Sequence, residues 1–366
     1  MDSLFIQSGY QGPDSNRQHN FIEGANSSER GMRVARRVLV AGGGGFIGHH
    51  LVNRLKREGN WVRAVDLHPP YFEPSQADEF IVHDLREYQA CLESTKDIDD
   101  VYQLAADMGG IGYITANHAE LTRNNVLINA HMLEAARKSS VSRYLYTSSA
   151  CVYPSFKQNE TQVAPLKEAD AIPADPERGY GWEKLFSEQL CSYYRSDFGL
   201  QTSSVRFHNI YGPLGTYEGG REKAPAALSR KVALAENNGW IDIWGDGLQT
   251  RSFCYIDDCV EGLTRILKSG RPEPINLGSN ELISVRGLAE LIVTISGKTL
   301  KIKTDPSKPQ GVRGRNSDNG ELFRVLGWEP SVKLREGLAA TYSWIYDQLR
   351  QGGRAKPPQP IAPVIR

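Results

Sequence analysis

The chain has 366 residues, of which 40% are hydrophobic and 23% are charged, a composition typical of a water-soluble globular protein. Its 43 basic and 43 acidic side chains cancel to a net charge of zero, which argues against nucleic acid or an anionic membrane as a partner. The sequence contains no run of eighteen apolar residues and no signal-peptide pattern, so we expect no membrane association.

The five cysteines and eight histidines are scattered along the chain. An odd number of cysteines without a C-x-x-C pair argues against a disulfide framework and indicates a reducing compartment, which we take to be the cytoplasm. The histidines lack the spacing of metal ligands, so no metal site is predicted.

The two ends of the chain are expected to lie outside the folded part. Residues 1–32 are polar throughout and are predicted to be disordered. Residues 352–366 are rich in proline and are predicted to form a flexible tail. The length between them exceeds one typical core, which predicts two domains or one extended α/β unit.

A glycine-rich turn follows the first predicted strand. The stretch RVLVAGGGGFIG begins with the apolar run Val38–Ala41 and continues into a helical pattern. The glycine spacing G-x-x-G-x-x-G allows a tight turn, the approach of a phosphate to the backbone, and close packing of the helix on the strand. The free N–H groups at the helix start would then bind a pyrophosphate. The candidate cofactor-binding residues here are Gly42, Gly45, Phe46, Ile47 and Gly48.

The second predicted strand, WVRAVD, ends at Asp66, about twenty residues after the glycines. An acidic residue at this distance binds the ribose hydroxyls of NAD and repels the 2′-phosphate of NADP. The glycine spacing alone is weak evidence, because many turns contain glycine. In combination with Asp66 it predicts an NAD site.

Strands and helices alternate after the glycine-rich turn. The third strand is predicted in EFIVHDL, with Asp84 and Leu85 at its carboxyl end. The fourth is predicted in VYQLAA, where the small side chains of Ala105 and Ala106 leave room for a cofactor. Long helical patterns flank the fifth strand, predicted in RYLYTSSACVYP, and QTSSVRFHNIYGP is predicted as the sixth strand with its exit loop. This alternation predicts an α/β fold, a Rossmann-type doubly wound parallel sheet with ligands at the carboxyl ends of its strands.

The pattern becomes irregular after residue 211, with short strand-like segments such as IDIWGDG, before EPINLG returns to the sheet as a last strand. We therefore predict an NAD-binding domain of residues 33–211 plus about 250–278. A smaller, discontinuous C-terminal domain of residues 212–249 plus 279–351 would bind the substrate.

A tyrosine and a lysine four residues apart begin the helix after the fifth strand. Residues i and i+4 share a helix face, so the Lys184 ammonium would lie near the Tyr180 phenol and lower its pKa toward that of a base. Ser149, at the end of the fifth strand, would hydrogen-bond the same substrate hydroxyl. A Y-x-x-x-K pair is common by chance, but after a dinucleotide-binding domain it predicts a catalytic site.

These features resemble the extended short-chain dehydrogenase/reductase family, whose members remodel nucleotide sugars. The resemblance covers nearly all of residues 37–351 and rests on GGGGFIG, Asp66, RFHNIYGP, and the set Ser149, Tyr180 and Lys184. It implies a nucleotide sugar as substrate and NAD as a cofactor that ends each reaction cycle unchanged.

Six longer strings narrow the resemblance: AADMGGIGYI, TSSACVYP, FHNIYGPLGT, GGREKAPAA, WGDGLQTRSF and GVRGRNSDN. They are similar to the branch that inverts C3 and C5 of GDP-mannose to form GDP-L-galactose, with GDP-L-gulose from inversion at C5 alone. The resemblance implies that Tyr180 starts a transient oxidation to a 4-keto sugar. Cys151 would then remove a proton from a neighbouring carbon and Lys223 would deliver one. Cys151 lies two residues after Ser149, so on a strand both side chains would point to one face.

The same resemblance implies a set of substrate contacts. Arg315, Arg251 and Lys231 would bind the phosphates, since an arginine can hold a phosphate with two hydrogen bonds. Whether Arg313 shares this task is left open. The predicted substrate-binding residues are Gly109, Ser149, Ala150, Cys151, Asn209, Glu222, Lys223, Ala224, Lys231, Gln249, Thr250, Arg251 and Arg315.

Two other interpretations stay open. A 4-epimerase, 4,6-dehydratase or decarboxylase of nucleotide sugars would share the tyrosine and lysine, although dehydratases usually carry a carboxylate where this chain has Ala150 and Cys151. A catalytically silent NAD-binding scaffold would tend to lose the tyrosine or the lysine. The family resemblance also implies a homodimer through helices near residues 117–138 and 181–197. The use of the product, for ascorbate or for polysaccharide, is left open.

Overall fold

The computed structural model describes residues 35–352, which fold around a seven-stranded sheet. The predicted disordered segment 1–32 lies outside the described residues, as does all but the first residue of the predicted tail. None of the helices in residues 35–352 is both long enough and apolar enough to cross a membrane.

Helices and strands alternate through the first part of the fold. In chain order they are β1 (Arg37–Ala41), α1 (Phe46–Arg57), β2 (Trp61–Asp66), β3 (Glu79–Val82), α2 (Tyr88–Thr95), β4 (Asp100–Gln103), α3 (Ile111–Ala116), α4 (His118–Lys138), β5 (Arg143–Ser149), α5 (Tyr180–Phe198) and β6 (Gln201–Phe207). The two long helices that the sequence predicts around the fifth strand are α4 and α5.

The second part of the fold has shorter strands. Its elements are β7 (Ile210–Tyr211), α6 (Ala224–Leu234), β8 (Trp240–Trp244), β9 (Thr250–Ser252), β10 (Cys254–Tyr255), α7 (Ile256–Ser269), β11 (Ile275–Leu277), β12 (Leu282–Ser284), α8 (Val285–Ser296), β13 (Lys301–Asp305), β14 (Gly314–Arg315), α9 (Gly320–Leu326) and α10 (Leu334–Arg350).

All strands of the large sheet run parallel, in the order β11-β6-β5-β4-β1-β2-β3. The chain first moves outward from β1 to β3 and then returns to β4 on the other side of β1. The order therefore reverses between β1 and β4, and ligands of open α/β sheets bind at the carboxyl ends of the strands beside such a reversal. The predicted Rossmann-type sheet is confirmed, including its last strand, β11.

The sheet has hydrophobic cores on both faces, which explains the continuous apolar run of β1. Successive residues of β1 point into two different hydrophobic cores. Val38 and Val40 belong to the core under α1 and α7, whereas Leu39 and Ala41 belong to the core that contains residues of α2, α4 and α5. The helices thus hold the carboxyl end of β1, where the glycine-rich turn begins, between two packed layers.

The predicted smaller C-terminal domain, called the second lobe below, contains a hydrophobic core of its own. β8 pairs with β13, β9 pairs with β12 and β14, and helices α6, α8 and α10 pack together around Leu288 and Leu338, which are fully buried. Helix α9 packs differently, because its Leu322 is buried in the core of the large sheet. The domain boundaries stay a prediction, and two segments depart from them. β9 is assigned to the NAD-binding domain but pairs with β12 and β14, and α9 is assigned to the smaller domain but buries Leu322 in the core of the large sheet.

Two strands end earlier than the sequence suggests. β3 ends at Val82 and β4 ends at Gln103, so the residues predicted at their carboxyl ends lie in the loops that follow. These residues are Asp84, Leu85, Ala105 and Ala106. A loop after a parallel strand still opens onto the edge of the sheet where ligands bind, so the change does not remove them from the site.

Strand β5 ends at Ser149, and Cys151 lies in a short 3-10 turn of residues 150–152. The prediction that strand alternation directs both side chains to one face is therefore wrong. The turn brings them together in another way, because the Cys151 backbone N–H donates a hydrogen bond to the Ser149 hydroxyl at 3.2 Å. In this way Ser149 caps the turn that carries the cysteine.

Candidate functional site

The glycine-rich turn is shaped by close backbone approaches that only glycine permits. Gly42 has a φ of 83°, and a Cβ there would lie 2.7 Å from the backbone nitrogen of Ala105. A Cβ on Gly48 would lie 2.0 Å from the carbonyl oxygen of Gly42. The start of α1 is therefore pressed against the end of β1. Its first backbone N–H groups remain available to a phosphate.

The Asp66 carboxylate lies beside this turn. Its two oxygens accept hydrogen bonds from the backbone N–H groups of Gly44, at 3.0 Å, and Leu67, at 2.7 Å. Burial raises the pKa of Asp66, and these hydrogen bonds oppose the increase. Each carboxylate oxygen has a further lone pair that could accept a ribose hydroxyl.

Asp84, the second predicted acid of the cofactor site, is held by a neighbouring arginine. Its oxygens lie 2.5 to 3.0 Å from guanidinium nitrogens of Arg86. Burial alone would raise the pKa of Asp84, but the Arg86 charge and hydrogen bonds lower it overall. Asp84 is therefore an anion whose charge is largely neutralised by Arg86.

One large cavity of about 1270 Å³ runs from the glycine-rich turn to the second lobe. Typical ligand sites have about 300–1,000 Å³, so this cavity has room for two ligands side by side. Its lining includes every residue of the predicted cofactor and catalytic sets. Ala150 and Thr250 are the predicted substrate contacts that do not line it, because Ala150 packs in a hydrophobic cluster and the Thr250 hydroxyl donates to the carbonyl of Thr161.

Tyr180 and Lys184 form the floor of this cavity. Tyr180 is 5% exposed, and the Lys184 ammonium lies 5.4 Å from the centre of its ring and donates a hydrogen bond to the carbonyl of Thr147 at 3.1 Å. Burial raises the pKa of Tyr180 well above its ordinary value, which a hydrogen bond with Ser149 only partly opposes. The expected decrease in the phenol pKa is therefore not found in the protein without ligands, because desolvation outweighs the effect of the nearby cation.

Cys151 contacts a guanidinium group. The Cys151 sulfur lies 3.4 Å from Nη1 of Arg315, whose Nε donates to Gln158 at 2.6 Å. Burial raises the pKa of the Cys151 thiol, and the carboxylate of Glu177 raises it further, while Arg315 lowers it. The thiol therefore lies between one anion and one cation. A thiolate formed here would be a stronger base than an exposed one.

Lys223 is partly buried on the far side of the cavity, at the residue that precedes helix α6. Burial lowers the pKa of its ammonium, whereas negative charge on Cys151 would raise it. Both side chains line the same cavity. A lysine with a lowered pKa gives up its proton more readily than an exposed one.

Two arginines of the second lobe line the cavity without a carboxylate partner in residues 35–352. Arg251 donates to the carbonyls of Thr250 and Val312, each at 2.7 Å, and Arg315 donates to Gln158. Burial and the charge of Arg315 lower the pKa of Arg251 to about 9. Two positive groups that repel each other in a partly dehydrated cavity form a strong site for an anion such as a diphosphate.

The other predicted cations have partners. The Lys231 ammonium forms an ion pair with Asp242 at 2.7 Å, at the edge of the cavity. Arg313 forms an ion pair with Asp246 at 3.0 Å and does not line the cavity. Arg313 is therefore placed less favourably than Arg251 and Arg315 for contact with a ligand in the cavity.

The remaining predicted substrate contacts offer polar groups along the second lobe. Asn209 has a positive φ of 49° and donates to the carbonyl of Ser252, and Glu222 accepts from the N–H of Gly220. Gln249 donates to the carbonyl of Trp244, while its buried Oε1 has no partner among the described residues. Gly109 and Ala224 line the cavity as well.

Comparison with known proteins identifies the family. Residues 38–278 match the NAD dependent epimerase/dehydratase family. The chain belongs to the NAD-dependent epimerase/dehydratase family. A GDP-mannose 3,5-epimerase of Arabidopsis thaliana is 49% identical over 86% of this chain and 83% of its own length. A GDP-mannose 3,5-epimerase 1 of Oryza sativa subsp. indica is 50% identical over the same shares.

The fold is shared with solved members of similar function. The crystal structure of a UDP-glucose 4-epimerase from Thermotoga maritima, with UDP-glucose, is 26% identical, with a TM-score of 0.78 over 86% of this chain and 99% of that chain. As a member of the NAD-dependent epimerase/dehydratase family, this chain is an isomerase that uses NAD. The glycine turn and the Asp66 carboxylate fit that cofactor, because they provide a cradle without side chains and an acceptor for ribose hydroxyls.

Several residues of this family member were missed by the sequence analysis. Asp107 accepts a hydrogen bond from the Tyr113 hydroxyl at 2.8 Å, and the Arg221 guanidinium stacks on the Tyr113 ring at 3.9 Å. Arg221 also donates to the carbonyl of Met108. These contacts join the segment after β4 to the loop that carries Lys223. The two contacts of Arg221 join residues more than a hundred positions apart, so no local sequence pattern could have revealed them.

Proposed function

We propose that this chain converts GDP-mannose to GDP-L-galactose by inverting C3 and C5 of the sugar, with GDP-L-gulose formed when only C5 is inverted. The observation that carries the proposal is the presence of two acid–base side chains, Cys151 and Lys223, in the same cavity as Tyr180 and Lys184. A simple 4-epimerase needs only the tyrosine and lysine. The relatives with about half of their residues identical, which are named as GDP-mannose 3,5-epimerases, support the same substrate.

The first step is the activation of C4. Tyr180, as the phenolate, accepts the proton of the sugar 4-hydroxyl, while Ser149 hydrogen-bonds the same oxygen. NAD, when bound, provides the acceptor for the hydride that leaves C4 and later returns it. Lys184 favours the phenolate through its positive charge. Burial keeps Tyr180 protonated in the protein without ligands, so the phenolate is the minor form there.

The second step is the exchange of protons on C3 and C5. A carbonyl at C4 makes the protons on both neighbouring carbons acidic, because the resulting anion is an enolate. Cys151, stabilised as a thiolate by Arg315 at 3.4 Å, removes a proton from one face of the ring. Lys223 delivers a proton to the opposite face, which its lowered pKa favours. Each such acid or base contributes about 10²–10⁴ to a reaction rate.

The nucleotide is held by the second lobe. Arg251 and Arg315 would bind the diphosphate, since their charges have no carboxylate partner in residues 35–352 and arginine binds phosphate oxygens in pairs. Lys231 would contribute at the edge of the cavity. The Gln249 Oε1 without a partner is a further acceptor for a donor group of the ligand.

Incubation of the purified protein with GDP-mannose, followed by analysis of the sugar, tests the proposal. We expect GDP-L-galactose together with some GDP-L-gulose. A product inverted only at C4, or a dehydrated product, would replace the proposal with a neighbouring activity. No conversion by protein that contains NAD would indicate a scaffold without catalysis.

We further propose a homodimer in the cytoplasm. Trp182, Phe186 and Tyr193 on α5 are 52%, 52% and 57% exposed, and large apolar side chains clustered on one helix support contact with a second copy. All five cysteines are free thiols, which supports a reducing compartment. Light scattering of the purified protein tests the dimer, and a molar mass near 40.7 kDa would contradict it.

A further inference from the structure

Glu183 is a buried acid next to the catalytic lysine. Its side chain is 0% exposed, and its carboxylate lies 3.7 Å from the Lys184 ammonium, which is 2% exposed. Burying a carboxylate is unfavourable unless a positive group and hydrogen bonds compensate for the lost water. Glu183 does not line the cavity, so it cannot contact the substrate. Its effect on the reaction must pass through the groups that it faces, of which Lys184 is the one paired with it.

Two asparagines of helix α4 hold this carboxylate. Asn125 donates to Oε1 at 2.9 Å and Asn129 donates to Oε2 at 3.4 Å. Asn125 also bonds both backbone groups of Asp107, accepting from its N–H at 2.6 Å and donating to its carbonyl at 3.0 Å. Glu183 is therefore fixed between the lysine and the loop after β4, which forms one wall of the cavity.

The charge of Glu183 also acts on Tyr180. The titratable groups that face Glu183 are Lys184 and Tyr180 on its own helix and Tyr146 on β5, while α4 presents only amides. Burial raises the pKa of Tyr180, and the negative charges of Glu183, Cys151 and Glu177 raise it further. Among these anions, Glu183 is the one in an ion pair with the lysine. Its negative charge offsets the positive charge by which Lys184 favours the phenolate.

We propose that Glu183 is a positioning residue that anchors the Lys184 ammonium and screens its charge from Tyr180, thereby setting the pH at which Tyr180 begins to act. This inference rests on the proposed roles of Tyr180 and Lys184. Two neutral amide donors could be satisfied by a neutral acceptor. A charged acceptor at this position is explained by the buried ammonium beside it.

Glu183→Gln removes the negative charge and keeps the shape of the side chain. Lys184 keeps its hydrogen bond to the carbonyl of Thr147, so its charge acts on Tyr180 without screening. The acid limb of the kcat–pH profile, which reports the ionisation of Tyr180, should then move to lower pH by about one unit. A nearby charge shifts a pKa by about one to three units, and we take the lower end of this range. KM should stay unchanged, because Glu183 has no contact with the cavity.

Ser187→Ala is the matched control. Ser187 accepts a hydrogen bond from Asn129 at 3.1 Å in the same buried cluster but carries no charge and does not contact the lysine. Its pH profile should coincide with that of the wild type. Asn125→Ala is a second test that keeps the carboxylate. Burial raises the pKa of Glu183 and the Asn125 hydrogen bond opposes that increase. Without this hydrogen bond more of the carboxyl group is protonated, so the limb should shift in the same direction by less.

A measurement without substrate separates this inference from the proposed function. The ultraviolet absorbance of tyrosinate is titrated in the NAD-containing protein, and the titration of the matching Tyr180→Phe variant, with or without Glu183→Gln, is subtracted from each. This subtraction removes the contribution of Tyr146, which also faces Glu183. The difference should show Tyr180 ionising at lower pH in Glu183→Gln than in the wild type, whether or not GDP-mannose is converted. The inference is overturned if the titration is unchanged or moves to higher pH, or if Ser187→Ala shifts it equally.

Discussion

Replacement of Arg315 by methionine tests most directly whether Cys151 can act as the base that removes a proton from the sugar ring. The Cys151 sulfur lies 3.4 Å from Nη1 of Arg315, and Arg315 is only 7% exposed. Burial raises the pKa of the thiol and Arg315 lowers it, so removal of the guanidinium should raise the pKa further. Methionine preserves the length of the aliphatic chain and removes only the charge and its hydrogen bonds.

The size of the effect follows from the separation of the charges. With the guanidinium charge centre taken at about 5 Å from the sulfur and an effective dielectric constant of about 20, the attraction is about 3 kcal/mol. This free energy corresponds to about two pKa units. Near neutral pH, where the thiolate is the minor form, its population should fall about a hundredfold.

The assay is alkylation of Cys151 by iodoacetamide as a function of pH, followed by mass spectrometry of the peptide that contains it. It uses NAD-containing protein without substrate, so a loss of phosphate binding by the Arg315→Met variant does not affect the result. Glu177→Gln is the matched variant, and it should change the pKa of the Cys151 thiol in the opposite direction. Glu177 raises the pKa of the thiol, so its neutralisation should move the alkylation profile to lower pH.

The reasoning fails if the profile of Arg315→Met overlaps that of the wild type. It also fails if both variants shift the profile in the same direction, because a general loosening of the cavity would then explain the change. Cys151→Ser identifies the background reaction of the other four cysteines, which are all buried.

Four further predictions concern the reaction itself. The purified protein should carry NAD(H) and release it on denaturation, because the hydride must return to the same sugar. Better activity with NADP than with NAD would refute the role of Asp66. Tyr180→Phe should retain less than about a hundredth of the rate with nearly unchanged GDP-mannose binding, since one acid–base group is lost, and a smaller decrease in turnover would exclude it as the base. Cys151→Ala should still form a 4-keto sugar, detected by the absorbance of NADH, but it should place little deuterium from heavy water at C3 or C5. Labelling at the wild-type rate would show that Cys151 has only a packing role. In Lys223→Met a proton should still be lost, and the product analysis should show that inversion fails.

Much of the cofactor site was predictable because it depends on local geometry. Gly48 is needed because it packs on the carbonyl of Gly42, only six positions earlier, and Gly42 is needed because the tight turn gives it a positive φ. Tyr180 and Lys184 share a face of α5 because the helix repeats every 3.6 residues. The alternation of Val38 to Ala41 between two cores follows from the two-residue repeat of a strand.

The sequence by itself therefore determined the Rossmann-type sheet, the glycine turn and the spacing of the tyrosine and lysine. It did not determine the exit of β5, where a turn in place of a strand brings Cys151 next to Ser149. Nor did it determine that Ala150 and Thr250 face away from the cavity. A one-residue change in where a strand ends redirects each side chain that follows, and strand ends depend on packing as well as on sequence.

Only the tertiary structure decided the charges at the site. Arg315 reaches Cys151 across 164 positions of the chain, and Asn125 reaches Glu183 across 58. The pKa of Tyr180 and of Cys151 is raised, although a cation lies near each, because burial removes water that would stabilise the anion. Residue identity shows which groups can ionise, but the cost of ionising them is set by the surrounding atoms, and those come from distant parts of the chain.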